Sequence, residues 1–138
     1  MKQQVSVVVN SEERSQTMFG PKAETISDLR ALFNDCADDG WDGDDACAID
    51  AIALLNAEAF VRALPDGLPL PHVCPDPDGE ISLDWTHSRY RIFSLSCGHD
   101  DRMAYAWLDG SSSGNGVDCF DGISVPSRIT ALIQTIVN

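Results

Sequence analysis

Ile81-Ser82-Leu83-Asp84-Trp85-Thr86 alternates apolar and polar residues at every step, the period-two pattern of a strand with one buried face and one wet face. Working outward, Pro75-Asp76-Pro77-Asp78-Gly79 places an Asp-Gly tip just before it, suited to reversing a hairpin whose first strand begins at His72-Val73-Cys74. Tyr90 to Cys97 continues the pattern, with Phe93, Leu95 and Cys97 on one side and Ile92, Ser94 and Ser96 on the other. Gly98-His99-Asp100-Asp101 then turns the chain into a strand from Met103 to Leu108. Asp109 to Gly116 reads as a flexible Ser/Gly loop, and Val117 to Phe120 as a short further strand.

Helical spacing flanks this meander on both sides. Ile26, Leu29, Leu32 and Phe33 share one helix face, with a Ser or Thr cap near its start and an end near Cys36. The stretch from Asp35 to Asp45 holds six aspartates in eleven residues around Gly40-Trp41-Asp42-Gly43, too many like charges and turn formers for a helix. It reads as a solvated loop with Trp41 plugged into the core. Asp44 or Asp45 is expected to cap a second helix reaching Leu64, with Ile49, Ile52, Leu55, Ala59 and Phe60 as its buried stripe. Pro65-Asp66-Gly67 stops it, and Pro126 opens a C-terminal helix through Ile129, Leu132, Ile133 and Ile136. Residues 4–9 read as a short edge strand, and Asn10 to Lys22 as a variable polar loop. The expected fold is α+β: an antiparallel meander of three to four strands, with two N-terminal helices and a C-terminal helix packed on one face. The 138 residues make one domain.

Charge narrows the function classes. The chain has 22 Asp+Glu against 9 Lys+Arg, a formal charge of -13, so a nucleic acid or an anionic lipid surface would repel it. No apolar run approaches the roughly 18 residues of a membrane span. Five cysteines at wide spacings, with no Cys-x-x-Cys pair, point to reduced thiols and a cytoplasmic protein rather than a zinc ribbon or a redox motif. What the charge favours is association with a basic protein surface, or solubility alone.

Gly40-Trp41-Asp42-Gly43, Ala59-Phe60, Leu64-Pro65, Pro69-x-Pro71, Pro75-x-Pro77-Asp78-Gly79-Glu80-Ile81-x-Leu83-x-Trp85, Tyr105-Ala106 and Val125-Pro126 resemble the pattern of a widespread family of small bacterial proteins. Members carry a Trp-Asp-Gly turn and a Pro-Asp-Gly-Glu-Ile-x-Leu-Glu-Trp strand. The resemblance covers about residues 36–138, with Asp84 where Glu is usual. It implies no particular activity. The family's association with phage-like and mobile bacterial DNA implies, by analogy, a role in defence, counter-defence or toxin neutralisation.

No catalytic signature emerges. A calcium loop fails on spacing: with Gly43 at the sixth position the twelfth is Ile49, and with Gly40 there it is Ala46. His72, His87 and His99 lie apart, Cys97 with His99 lacks any nucleophile signature, and Gly110 to Gly116 lacks the lysine of a phosphate loop. No metal or cofactor is expected. The sequence reading is a non-enzymatic inhibitor or neutraliser, of the anti-CRISPR, antitoxin or immunity type, whose carboxylates meet a basic nucleic-acid-handling protein as phosphates would. Its expected carriers are Asp38, Asp39, Asp42, Asp44 and Asp45, with Asp76, Asp78 and Glu80 on the hairpin tip. Tyr105 and Trp107 are secondary candidates if they project from an uncovered sheet face. A small enzyme with an unrecognised pocket, or a self-associating homodimer, are the competing expectations.

Overall fold

The computed structural model describes residues 7–137, with side-chain surroundings from Gly20 onward. The first helix, α1 (Val7–Asp35), is broken at Gly20 (φ 39°, ψ −115°), directly before Pro21. Proline removes a backbone donor and crowds the preceding turn, so the two halves part there. This corrects the strand and loop expected over residues 4–22: residues 7–22 are helical, and 4–6 fall outside the described residues. Glu12, Glu13, Arg14, Gln16 and Met18 are all strong helix formers, and Gly20-Pro21 marks a kink within a helix rather than a loop.

The second helix, α2 (Ala51–Ala63), starts later than expected. Asp50 caps it, its Oδ1 accepting from the amides of Ile52 and Ala53 at 2.7 and 3.2 Å. Residues 46–50 are non-helical because their amides are used elsewhere, as described below. The buried stripe also differs: Ala53, Ala57, Glu58, Phe60 and Val61 face inward, while Ile52 and Leu55 stay 48% and 59% exposed. Alanines at 53 and 57 lie one turn apart and let the helix approach its neighbours closely, with Phe60 and Val61 continuing that face.

Among the described residues five strands, one more than the upper expectation, form a simple antiparallel meander: β1 (His72–Pro75), β2 (Ile81–Ser88), β3 (Arg91–Cys97), β4 (Arg102–Asp109) and β5 (Ser112–Cys119), in that spatial order. The expected Ser/Gly loop is in fact the β4–β5 turn and most of β5. Glycine supplies no apolar signal, yet it suits this place. Across the register, Leu83, Leu95, Tyr105 and Gly116 lie in one row, and Trp85, Phe93, Trp107 and Gly114 in the next. A Cβ on Gly116 would come within 2.5 Å of the Tyr105 hydroxyl, and one on Gly114 within 2.5 Å of the Trp107 ring. The two aromatic rings therefore occupy the space that β5 leaves open.

The last helix, α3 (Ser127–Val137), packs across β2, β3 and β4; α2 packs on β2 and β3, and α1 on α2 and β1. Ile81, Leu83, Trp85, Phe93, Leu95, Cys97, Met103 and Tyr105 form the covered face, joined by Leu29, Phe60, Ile129, Ile133 and Ile136 from the helices. Aromatic contacts run through this core from Phe120 to Phe60 (5.5 Å), Trp85 (6.4 Å), Phe93 (5.7 Å) and Tyr105 (5.7 Å). Trp85 also donates its indole N–H to the Pro69 carbonyl at 2.8 Å, fastening the proline-rich strap to the sheet. Ser82, Ser94, Ser96, Ala104 and Ala106 alternate with these core positions and occupy the other face.

Candidate partner-binding surface

The aspartate-rich segment is held by its own carboxylates. Asp39 Oδ1 accepts from the Ala48 amide at 2.9 Å, and Asp42 Oδ1 from the amides of Asp44 and Ala46 at 2.9 and 3.3 Å. Asp and Asn are favoured in turns because a side-chain oxygen can replace a backbone acceptor in this way. Trp41 donates its indole N–H to the Cys47 carbonyl at 2.7 Å and packs against the core, as its plug role requires. Each carboxylate keeps a second oxygen, and Asp38, Asp39, Asp42, Asp44 and Asp45 are all exposed.

The β1–β2 tip is built the same way. Asp78 Oδ1 accepts from the Glu80 amide at 3.0 Å, and Gly79 takes φ 92°, a region side chains disfavour. Two backbone hydrogen bonds then join this tip to the aspartate loop: the Cys47 amide to the Pro77 carbonyl at 2.7 Å, and the Asp50 amide to the Gly79 carbonyl at 3.0 Å. These bonds keep residues 46–50 out of α2. A Cβ on Gly79 would sit 3.1 Å from the Ala48 carbonyl oxygen, so glycine is required for the close approach as well as for the turn. Asn56 adds the third loop, donating to the carbonyls of Gly98 and Asp100 at 2.8 and 2.9 Å. The eight carboxylates expected to carry binding thus lie on two adjoining loops, and Asp50, Asp100 and Asp101 extend the acidic end.

One oxygen each of Asp76, Asp78 and Glu80 lies within 4.8 Å of the others, the donor type a hard cation takes. Burial raises the Asp76 carboxyl above its ordinary value, helped by Asp78 and Asp84. Burial likewise raises Glu80, with Asp78, Asp76 and Asp100 adding to it and His99 opposing. Glu80 also presses against Gly98, where a Cβ would stand 2.7 Å from its Oε2.

Tyr105 and Trp107 do not belong to this surface. Tyr105 is only 5% exposed, and Trp107 packs partly buried on the same helix-covered side, because the β4 register puts both beside the β5 glycines. Arg89 and Arg91 do not converge with Arg102: Arg91 faces Asp109 at one end of β4, whereas Arg102 pairs with Cys119 at the other. Arg91 bonds to the Thr135 carbonyl and lies 3.4 Å from Asp109. Cys97 is fully buried, and that burial, with Glu80 adding, pushes its thiol up to about 12, so it carries no thiolate to pair with His99.

Sequence reasoning missed Ile52 and Leu55 as surface groups. They lie one turn apart on α2, just beyond Asp50, and form an apolar spot beside the acidic loops. Their apolar character placed them in the expected core stripe; only the Ala53–Ala57 register could have marked them as outward. No helix of the described residues is long and apolar enough to cross a membrane. No protein-family model, no curated protein and no solved structure matches this chain.

Proposed function

We propose that this chain is a non-enzymatic, cytoplasmic binding protein whose acidic end engages a basic partner, as an inhibitor or neutraliser of a nucleic-acid-handling protein. The observation carrying this reading is the pair of backbone bonds, Cys47 to Pro77 and Asp50 to Gly79, that sets two carboxylate-rich loops side by side. Like charges repel, so holding them together has an electrostatic cost that a cationic partner would relieve. Burial first, and the charges of neighbouring carboxylates second, raise the carboxyls of Asp76 and Glu80 within the tip itself. Clustered carboxylates offer arginine the geometry it uses on phosphates, which fits a partner that normally handles nucleic acid. Ile52 and Leu55 supply the apolar anchor that interfaces place among polar rims. The motif resemblance to small bacterial proteins associated with mobile DNA points the same way, toward counter-defence, anti-CRISPR, antitoxin or immunity roles.

The test is capture of partners from a bacterial lysate at low salt, followed by affinity measurement with increasing salt. The reading expects the Kd to rise about tenfold or more between low and physiological ionic strength, chiefly through slower association. A variant carrying Asp44→Asn, Asp45→Asn and Asp78→Asn should flatten that dependence. Ile52→Ala with Leu55→Ala should instead speed dissociation and leave the salt slope unchanged. A salt-insensitive complex would reject the electrostatic part of the reading.

A further inference from the structure

The part of α1 after the kink, the last turn of α2 and the strap over residues 65–70 enclose an open groove of about 980 Å³. Ile26, Leu68 and Leu70 line it and continue into the core, while Lys22, Arg30 and Arg62 bring positive charge against one carboxylate, Asp66, among the described lining residues. In a chain of charge -13 this is a local reversal of sign. Glu58 stands behind the arginines: Arg30 gives it Nε and Nη2, both at 3.1 Å, and Arg62 gives it Nη2 at 3.1 Å. A guanidinium has five N–H donors, so both retain donors, and their side chains remain 60% and 54% exposed. Lys22 is held in place by the Arg62 and Leu64 carbonyls at 3.1 and 2.5 Å.

We propose that this groove binds a small amphipathic monoanion, an aliphatic carboxylate, with its head group on Arg30 and Arg62 and its hydrocarbon on Ile26, Leu68 and Leu70. The volume lies at the upper end of the roughly 300–1,000 Å³ of small-molecule sites, which combine an apolar lining with a few polar groups. The single charge follows from the groups within a Debye length of about 8 Å. Arg30 and Arg62 already share Glu58, and Asp66 lines the groove, so a second negative charge would meet a carboxylate, and a cation would meet Lys22, Arg30 and Arg62. The site is independent of the acidic end.

Sodium octanoate is the probe, with octanol and octylammonium as neutral and cationic controls. Trp85 reports on occupancy because its indole N–H bonds to Pro69 in the lining strap. Octanoate should shift the Trp85 indole resonance saturably and leave that of Trp41 in place, and octanol should bind at least tenfold more weakly. Arg62→Gln should weaken octanoate about tenfold. Glu58→Gln keeps both cations and removes the competing carboxylate, so it should tighten octanoate about threefold or more, a direction that loss of structure would not produce. Equal binding of octanoate and octanol, an absent Trp85 shift, or weaker octanoate binding to a folded Glu58→Gln variant would overturn the assignment.

Discussion

Two groups of carboxylates face opposite circumstances in this molecule. Glu58 is buried on α2, and burial alone would raise its carboxyl, but hydrogen bonds and charge from Arg30 and Arg62 outweigh that and lower it. Asp76, Asp78 and Glu80 are packed together with one another and, among the described residues, no such pair of arginines, and burial first and neighbouring charge second raise the carboxyls of Asp76 and Glu80. The first arrangement fastens α1 to α2. The second leaves repulsion unrelieved at the surface. A folded protein keeps such repulsion only where other contacts hold it, and here the stitching amides of Cys47 and Asp50 do so. The contrast separates a carboxylate that serves the fold from carboxylates available to a partner.

Removing the satisfied group should have the largest effect. Glu58→Ala deletes three charged hydrogen bonds, and since both arginines are exposed enough to rehydrate, denaturant unfolding should show a loss of about 2–3 kcal/mol. Gly79→Ala, with φ 92° and a neighbour at 3.1 Å, should cost about 1–2 kcal/mol and part the two acidic loops, visible as lost protection of the Cys47 and Asp50 amides in hydrogen exchange. Gly98→Ala should cost about 1 kcal/mol or less, because the obstructing atom is the end of the flexible Glu80 side chain, which moves and loosens the triad.

The smallest effect is the pH dependence. Groups raised on folding bind more protons folded than unfolded, so stability falls as pH climbs through the interval above about 3.8 for Asp76 and 4.5 for Glu80. Glu58 is lowered, so its contribution is present above 4.5 and is lost as pH falls below that. Acidification from neutral should therefore bring a slight gain and then a loss in thermal unfolding. Asp78→Asn should shrink the gain without removing it, since burial is the larger cause, and Glu58→Gln should flatten the loss.

Legibility followed the same division. The alternation of Ile81, Leu83 and Trp85 and of Phe93, Leu95 and Cys97 exposed the central strands, and Ile129, Ile133 and Ile136 exposed α3, because one-sided burial imprints its period on the sequence. Only the end of β5, Val117 to Cys119, was legible as a strand; the rest was hidden because Gly114 and Gly116 contribute absence of bulk, and its partners Tyr105 and Trp107 lie on another strand. The α2 stripe was misjudged because Ala53 and Ala57 compete with larger Ile52 and Leu55 for the inward face, and close packing favoured the small residues. Every acidic residue proposed for binding could be named from the chain, but their adjacency could not, since Cys47, Pro77, Asp50 and Gly79 meet through backbone groups that carry no side-chain signature.

The amino-acid order by itself determined an acidic chain with an antiparallel meander and a closing helix, since charge is additive and periodicity is local. Tertiary structure alone decided which loops touch, which face of α2 meets water and where the arginines converge, because each depends on contacts between segments tens of residues apart.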